Sequence, residues 1–229
     1  MKGMLPFLLF RPDTFFSERM NVPEDLKIPG IIAVIGAIIS AAGAYLASGV
    51  YSGLFSAAAG EGMAPVMGAV SALSAFFAFL ILWWIIFAGI FYLLSMVFSG
   101  SGTFRRTLEF TGYGLVPVII GLIISALVSL YYLPMVEVPV ISNIQDPAAV
   151  QRFMNDILMD PAFREYTRIS AVISVIFLAW SANLWIFGMK NARSLSIRNA
   201  IIVVLIPVII FAIYTLYMAF IGMPFLGGP

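Results

Sequence analysis

Charge placement constrains this chain more than any other feature, because five long stretches carry none at all. They run from about residue 28 to 50, 65 to 98, 110 to 133, 169 to 189 and 200 to 222. A helix needs roughly 20 apolar residues to cross about 30 Å of hydrocarbon, and each stretch is long enough. Lipid offers no partners to backbone N–H and C=O groups, so each stretch is predicted to be a helix, which satisfies them internally. The expected fold class is therefore an all-α polytopic membrane protein with five transmembrane helices. A short amphipathic segment, residues 1–27, precedes a membrane domain over 28–229, whose longest loop covers 134–168.

Composition narrows the function. Of the residues, 62% are hydrophobic and 10% charged, and the mean hydropathy is +1.06, more apolar than any soluble core requires. A net charge of +1 leaves no surplus of cations for a nucleic-acid backbone. Cysteine and histidine are absent, which removes disulfides, thiol chemistry, Cys/His metal sites and catalysis with a histidine base. No cofactor or metal is expected.

The basic residues set an orientation. Lys2, Arg11, Arg19, Lys27, Arg105, Arg106, Lys190, Arg193 and Arg198 fall on one side of the predicted spans, and only Arg152, Arg164 and Arg168 on the other. The positive-inside rule places the N-terminus in the cytoplasm and, with five spans, the C-terminus outside. The start, MKGMLPFLLF, is not read as a signal peptide: its apolar run is short, contains Pro6 and stops at Arg11. RPDTFFSERM reads as an interfacial helix, with Pro12 at its first position and Phe15, Phe16 and Met20 available to enter the membrane surface.

The segment SGTFRRTLEFTGYGLVPVII, residues 101–120, joins a basic turn to a span. Arg105 and Arg106 read first as topological anchors at the headgroups. Glu109 stands four residues after Arg105, so a helix starting near Thr103 is predicted to pair them; a structural ion pair is favoured over a functional carboxylate. Gly112, Gly114 and Pro117 point to close packing and a local helix break. Within the spans Asn183 is the strongest candidate for a buried polar residue, read as an interhelical hydrogen bond rather than a ligand site.

Small residues supply a packing surface. In the first span Ala33, Ala37 and Ala41 form one stripe, and Gly36, Ser40, Ala44 and Ser48 an adjoining one. Gly121 and Ser125 follow Pro117 at the same spacing in the third. Such stripes let helices approach closely, and the first span is expected at the centre of the bundle with two neighbours. The second span is crowded with aromatics and longer than a straight crossing needs, which calls for tilt or extension. In the long loop, QDPAAVQRFMNDILMDP is predicted to be an amphipathic helix capped by Asp146, with Phe153 and Ile157 on one face.

These residues carry a resemblance. GTFRRTLEFTGYGLVP resembles the Gly-Tyr-Ser/Ala-x-x-Pro region of the Yip family, five-span proteins named for interaction with Ypt/Rab GTPases. RPDTFF resembles that family's Arg-Pro-x-x-Phe entry, and WSANLWIFGMKNARSLSIRNAI its Trp-x-x-x-Leu, Gly and small-Leu-Ser-x-x-Ala stretch. Together they cover the chain from Arg11 to the fifth span. The resemblance implies a non-enzymatic protein of membrane organisation, shaping or trafficking-type assembly, here in a minimal prokaryotic member at the cell membrane.

The resemblance implies a longer cytosolic N-terminal region in the eukaryotic Yip relatives than the roughly 27 residues before this first span, so a Rab-type GTPase is not an expected partner. The lipid bilayer is, together with other membrane proteins or a second copy of the chain. A small-molecule or lipid carrier or channel is the alternative. A membrane-embedded enzyme has least support, because no nucleophile has an evident base and no carboxylates show metal-ligand spacing.

Overall fold

A computed structural model describes residues 4–60, 62–141 and 143–222. Every regular element among them is helical. Two short helices come first, α1 (Met4–Phe10) and α2 (Pro12–Arg19). The first membrane helix is α3 (Lys27–Ser48), prolonged through a tight turn, Gly49–Tyr51, into α4 (Ser52–Ala59). The second combines α5 (Met63–Ala78), a π-helical stretch (Phe79–Ile86) and α6 (Phe87–Val97). The third is α7 (Phe104–Tyr113) and α8 (Val116–Tyr132), with a break between them. After α9 (Pro147–Met159) come the two remaining long helices, α10 (Pro161–Ala192) and α11 (Ile197–Phe220). Five helical segments, Lys27–Ala58, Met63–Val97, Phe104–Met135, Pro161–Ala192 and Ile197–Phe220, are long and apolar enough to cross a membrane. Their basic end carries Arg19, Arg106, Lys190 and Arg193; the far end carries α9.

The small-residue stripe of α3 brings two helices against it. Ala33 and Ala37 are fully buried, and a β-carbon at Gly36 would lie 2.5 Å from the Phe79 ring and 2.9 Å from Ile119. The second and third spans therefore meet α3 at one point. Ser48 is buried near Gly68, whereas Ser40, Ala41 and Ala44 are only half-buried. In α8, Gly121 sits against Phe177 of α10, and Ser125 buries its hydroxyl without a partner among the described residues.

The expectation that the first span is the central one needs correcting. Its most apolar window is 22% buried, against 44% for the third. The third lies between α3 and α10, and the outer face of α3 is left exposed at Ile31, Val34, Ile35 and Ile38. A small-residue stripe shows where neighbours come close. How many sides they occupy depends on the rest of the bundle.

At the far end α9 starts as its sequence dictates. The Asp146 carboxylate accepts from the Ala148 N–H at 3.0 Å, Pro147 takes the first position, and Ala149, Phe153 and Ile157 are buried. Phe153 and Ile157 close a small apolar cluster with Val50 and Val136.

Candidate functional site

Thr103 sets the phase of α7. Its hydroxyl accepts from the Arg106 N–H at 3.0 Å, the geometry of a helix N-cap. From that start Arg106, Glu109, Phe110 and Tyr113 share the inward face, and Arg105 is turned outward and exposed. Glu109, fully buried, therefore pairs with Arg106 rather than Arg105: Oε2 accepts from Arg106 Nη1 at 2.8 Å. Its other oxygen, Oε1, accepts from Arg19 Nε at 2.6 Å, across 90 positions of sequence. One carboxylate thus ties α2 to α7.

Arg106 does more than neutralise. It is 7% exposed, and it donates to the carbonyl of Arg19, the last residue of α2, at 3.4 Å and to that of Val22, just past the helix, at 2.7 Å. A cation there satisfies carbonyls that a helix C-terminus leaves free. Glu24 accepts from the Thr103 hydroxyl, closing the linker onto the same cap. Arg19 holds its proton more firmly than usual: burial works against the charge, but the hydrogen bond and charge of Glu109 outweigh it.

Apolar contacts complete the clasp. Phe15 and Phe16 were expected in the membrane surface. They are instead buried, with Phe16 4.7 Å from the Phe110 ring and Phe15 5.2 Å from Tyr113. Met20 does remain exposed. On the other side of α2, Lys190 Nζ donates to both oxygens of Asp13 at 2.8 Å. That bond holds the Asp13 carboxyl below its ordinary range, against the opposing effect of burial and with help from Asn191.

The glycines and the proline of α7 and α8 have a specific use. Pro117 has no N–H, and the Leu115 N–H turns to the Gly112 carbonyl at 3.2 Å, so the Thr111 carbonyl loses its helical donor. Trp185 of α10 replaces it, its indole N–H 2.9 Å from that oxygen. The Val118 N–H is likewise taken by the Ser181 hydroxyl at 3.3 Å, and Trp84 donates to the Leu108 carbonyl at 2.8 Å. Gly114 makes room for one indole, since a β-carbon there would overlap the Trp185 ring. Gly112 makes room for the other: a β-carbon would lie 2.8 Å from Trp84 Nε1 and 2.7 Å from Pro29. Inside a membrane such freed groups must find protein partners.

Arg193 is a buried residue that sequence reasoning treated only as a topological charge. It is 2% exposed and donates to Ser95 Oγ at 2.8 Å, to the Gly100 carbonyl at 2.7 Å and to the Gly102 carbonyl, with its guanidinium 4.2 Å from the centre of the Tyr92 ring. It locks the turn between α6 and α7 to the turn after α10. Nothing in its local sequence separates it from Arg198, which is exposed.

Asn183 departs from expectation as well. It is exposed on α10, facing a shallow apolar groove beside α11, and forms no hydrogen bond with a described residue. Glu18 is exposed, Asp13 is taken by Lys190 and Glu24 by Thr103, so these acids do not converge on Glu109. Among the described residues no three acidic side chains are grouped to hold a metal ion.

The architecture can be set beside known proteins. The Yip1 domain matches residues 7–223, nearly the whole chain. The chain belongs to the Yip1 domain family. An uncharacterized protein of the archaeon Methanocaldococcus jannaschii is 36% identical over 123 residues, covering 54% of this chain and 86% of that protein, which supports a prokaryotic member of the family. No solved structure matches. Within this Yip1 domain, the matched range includes both the Arg19–Glu109–Arg106 clasp and the Trp185 and Ser181 side chains that close the α7–α8 break.

Proposed function

We propose that this Yip1 domain protein is a non-enzymatic organiser of the prokaryotic cell membrane that acts through its N-terminal helices as a fixed wedge in one leaflet, the cytoplasmic one. The observation that carries this reading is the clasp. Asp13–Lys190, Arg19–Glu109 and the buried Phe15 and Phe16 hold α2 rigidly on the ends of α7 and α10. The same segment leaves Leu5, Phe10, Met20 and Val22 exposed, Phe10 by 76%. Apolar side chains at the headgroup level bury themselves in lipid and expand that leaflet. A flexible anchor would follow the membrane, whereas a helix fixed to five spans imposes its own angle. Lipid is the primary partner in this reading, and a Rab-type GTPase has no part in it.

The Glu109 carboxylate fits a structural role in the same scheme, since both its oxygens are occupied by guanidiniums. The test is sorting between flat and curved membrane. Labelled protein in giant vesicles, from which thin tubes are drawn, is expected to enrich on the tube. Phe10→Asp with Leu5→Asp is expected to abolish that enrichment without changing thermal stability in detergent. Equal enrichment of wild type and variant would refute the wedge.

A further inference from the structure

At the far end of the bundle α9, α10 and the last turns of α11 surround a hollow of about 660 Å³. Tyr166, Ser174, Tyr214 and Phe220 are among its walls, and Arg164 stands in its lining. A second hollow of about 430 Å³, lined by Arg168 and Val172 with the exposed Glu165 at its edge, shares Phe220 with the first. The Arg168 guanidinium lies 5.6 Å from the centre of that ring.

Depth along α10 places this region. At 1.5 Å per residue the rise from Lys190 to Arg168 is about 33 Å, close to the thickness of the hydrocarbon core. Arg168 and Arg164 therefore stand at the headgroups of the far leaflet, while Ser174, about 15 Å along the helix from Arg164, reaches into its acyl region.

The two arginines lack what the others have. Arg152 pairs with Asp146 at 3.6 Å, and the Asp160 carboxylate is engaged by the N–H groups of Phe163 at 2.9 Å and Glu137 at 3.2 Å. Neither Arg164 nor Arg168 forms an ion pair with a described residue, and Arg168 Nε is buried with no hydrogen-bond acceptor. Like charges one helical turn apart repel, and a buried donor without an acceptor is costly. An anion with several oxygens removes both penalties, and guanidiniums suit phosphate in particular.

We propose that this end of the protein binds a phosphate-headed membrane lipid, with the phosphate at Arg164 and Arg168 and hydrocarbon in the hollow beside Tyr166, Tyr214 and Phe220. Free phosphate shares the head chemistry but leaves the hollow unused. A pocket of this size, largely apolar with a few polar groups, is the usual form of a small-molecule site. The proposal is independent of the wedge, which lies at the opposite end of the molecule.

Native mass spectrometry of the full chain tests it, with phosphatidylglycerol, diacylglycerol and inorganic phosphate as separate probes in the same detergent. Wild type is expected to retain phosphatidylglycerol through a delipidating wash and to retain neither of the others. In R164Q/R168Q retention is expected to fall about tenfold or more, the loss of two charge-assisted contacts. S174F, which fills the hollow without altering charge, is expected to lose the lipid too; should it misfold, A219F fills the same hollow from α11. Undiminished retention in R164Q/R168Q overturns the head assignment, and undiminished retention in the folded cavity-filling variant overturns the tail assignment. Inorganic phosphate held as tightly as the lipid overturns the lipid as ligand.

Discussion

Arg106 and Arg168 both sit where a membrane helix meets the headgroups, yet they live in different circumstances. Arg106 has a carboxylate and two carbonyls within 3.4 Å, all from this chain. Arg168 has an aromatic ring and a buried Nε with no acceptor among the described residues. The basic end is closed upon itself, so its charges are spent on holding helices together. At the far end Arg164 and Arg168 have no ion-pair partner among the described residues, which is what supports proposing a ligand there that is not protein. Counting arginines per side yields only an expected orientation, whereas following their partners shows which of them hold the fold together.

The contrast can be attacked where it should be strongest. Removing the Glu109 carboxylate strands two guanidiniums, and Glu109→Ala is expected to cost about 3 kcal/mol or more of stability, as breaking a buried pair does. Glu109→Gln with Arg106→Gln should cost less than the sum of the single changes, because Arg106 is then no longer a cation stranded by the loss of Glu109, although Arg19 still loses its carboxylate. Thermal unfolding in detergent measures both. An additive result would mean that the clasp is not a unit. Gly114→Leu should approach the same size, about 1–3 kcal/mol, through overpacking against the Trp185 ring, whereas Arg105→Ala should change stability by less than about 0.5 kcal/mol.

At the far end the expectation reverses. In lipid-free detergent Arg164→Gln should leave the unfolding temperature within about 1 °C of wild type or raise it, since it relieves repulsion and breaks no ion pair. A large loss of stability would show that Arg164 has a protein partner and would erase the difference between the two ends.

The smallest effect is a pH dependence at Asp13. Its folded-state pKa is depressed by Lys190, so the pair contributes stability above the unfolded value near 3.8, and that contribution fades as pH falls through the lower folded value. Both side chains are more than a third exposed, at 36% and 47%, so screening limits the contribution to less than about 0.5 kcal/mol. Comparing Asp13→Asn with wild type between pH 6 and pH 3 should show two curves that differ slightly at the top and converge at the bottom.

The five spans were legible because hydrophobic length is a one-dimensional property. The partner of Glu109 was not, since the rule of four residues chose Arg105 and the Thr103 cap sets a phase that turns Arg105 outward. Arg19 lies too far along the chain for any local rule to find. Asn183 was misjudged for a reason peculiar to membranes. In water a helix declares its buried face by contrast with a polar one, but on α10 lipid-facing Val172 and Ile176 are as apolar as buried Leu178 and Leu184. Phe15 and Phe16 show the same ambiguity, because an apolar residue at the membrane surface can face lipid or protein with equal chemical comfort.

The α7–α8 break has a consequence for the order in which the protein is made. The Thr111 carbonyl and the Val118 amide take their hydrogen bonds from Trp185 and Ser181, which the ribosome adds more than 60 residues later. Until those residues arrive, the third span has two backbone groups that hydrocarbon cannot solvate, and Pro117 prevents the helix from simply straightening to satisfy them. The third span is therefore expected to wait beside the insertion machinery and to pass into lipid together with the fourth. Nascent chains stalled before Trp185 should keep the third span crosslinkable to the insertase, and chains stalled well beyond it should release both. Release of the third span alone would break this account. The Trp185 indole and the Ser181 hydroxyl, which complete a helix bend, thereby also act as a timing signal during synthesis.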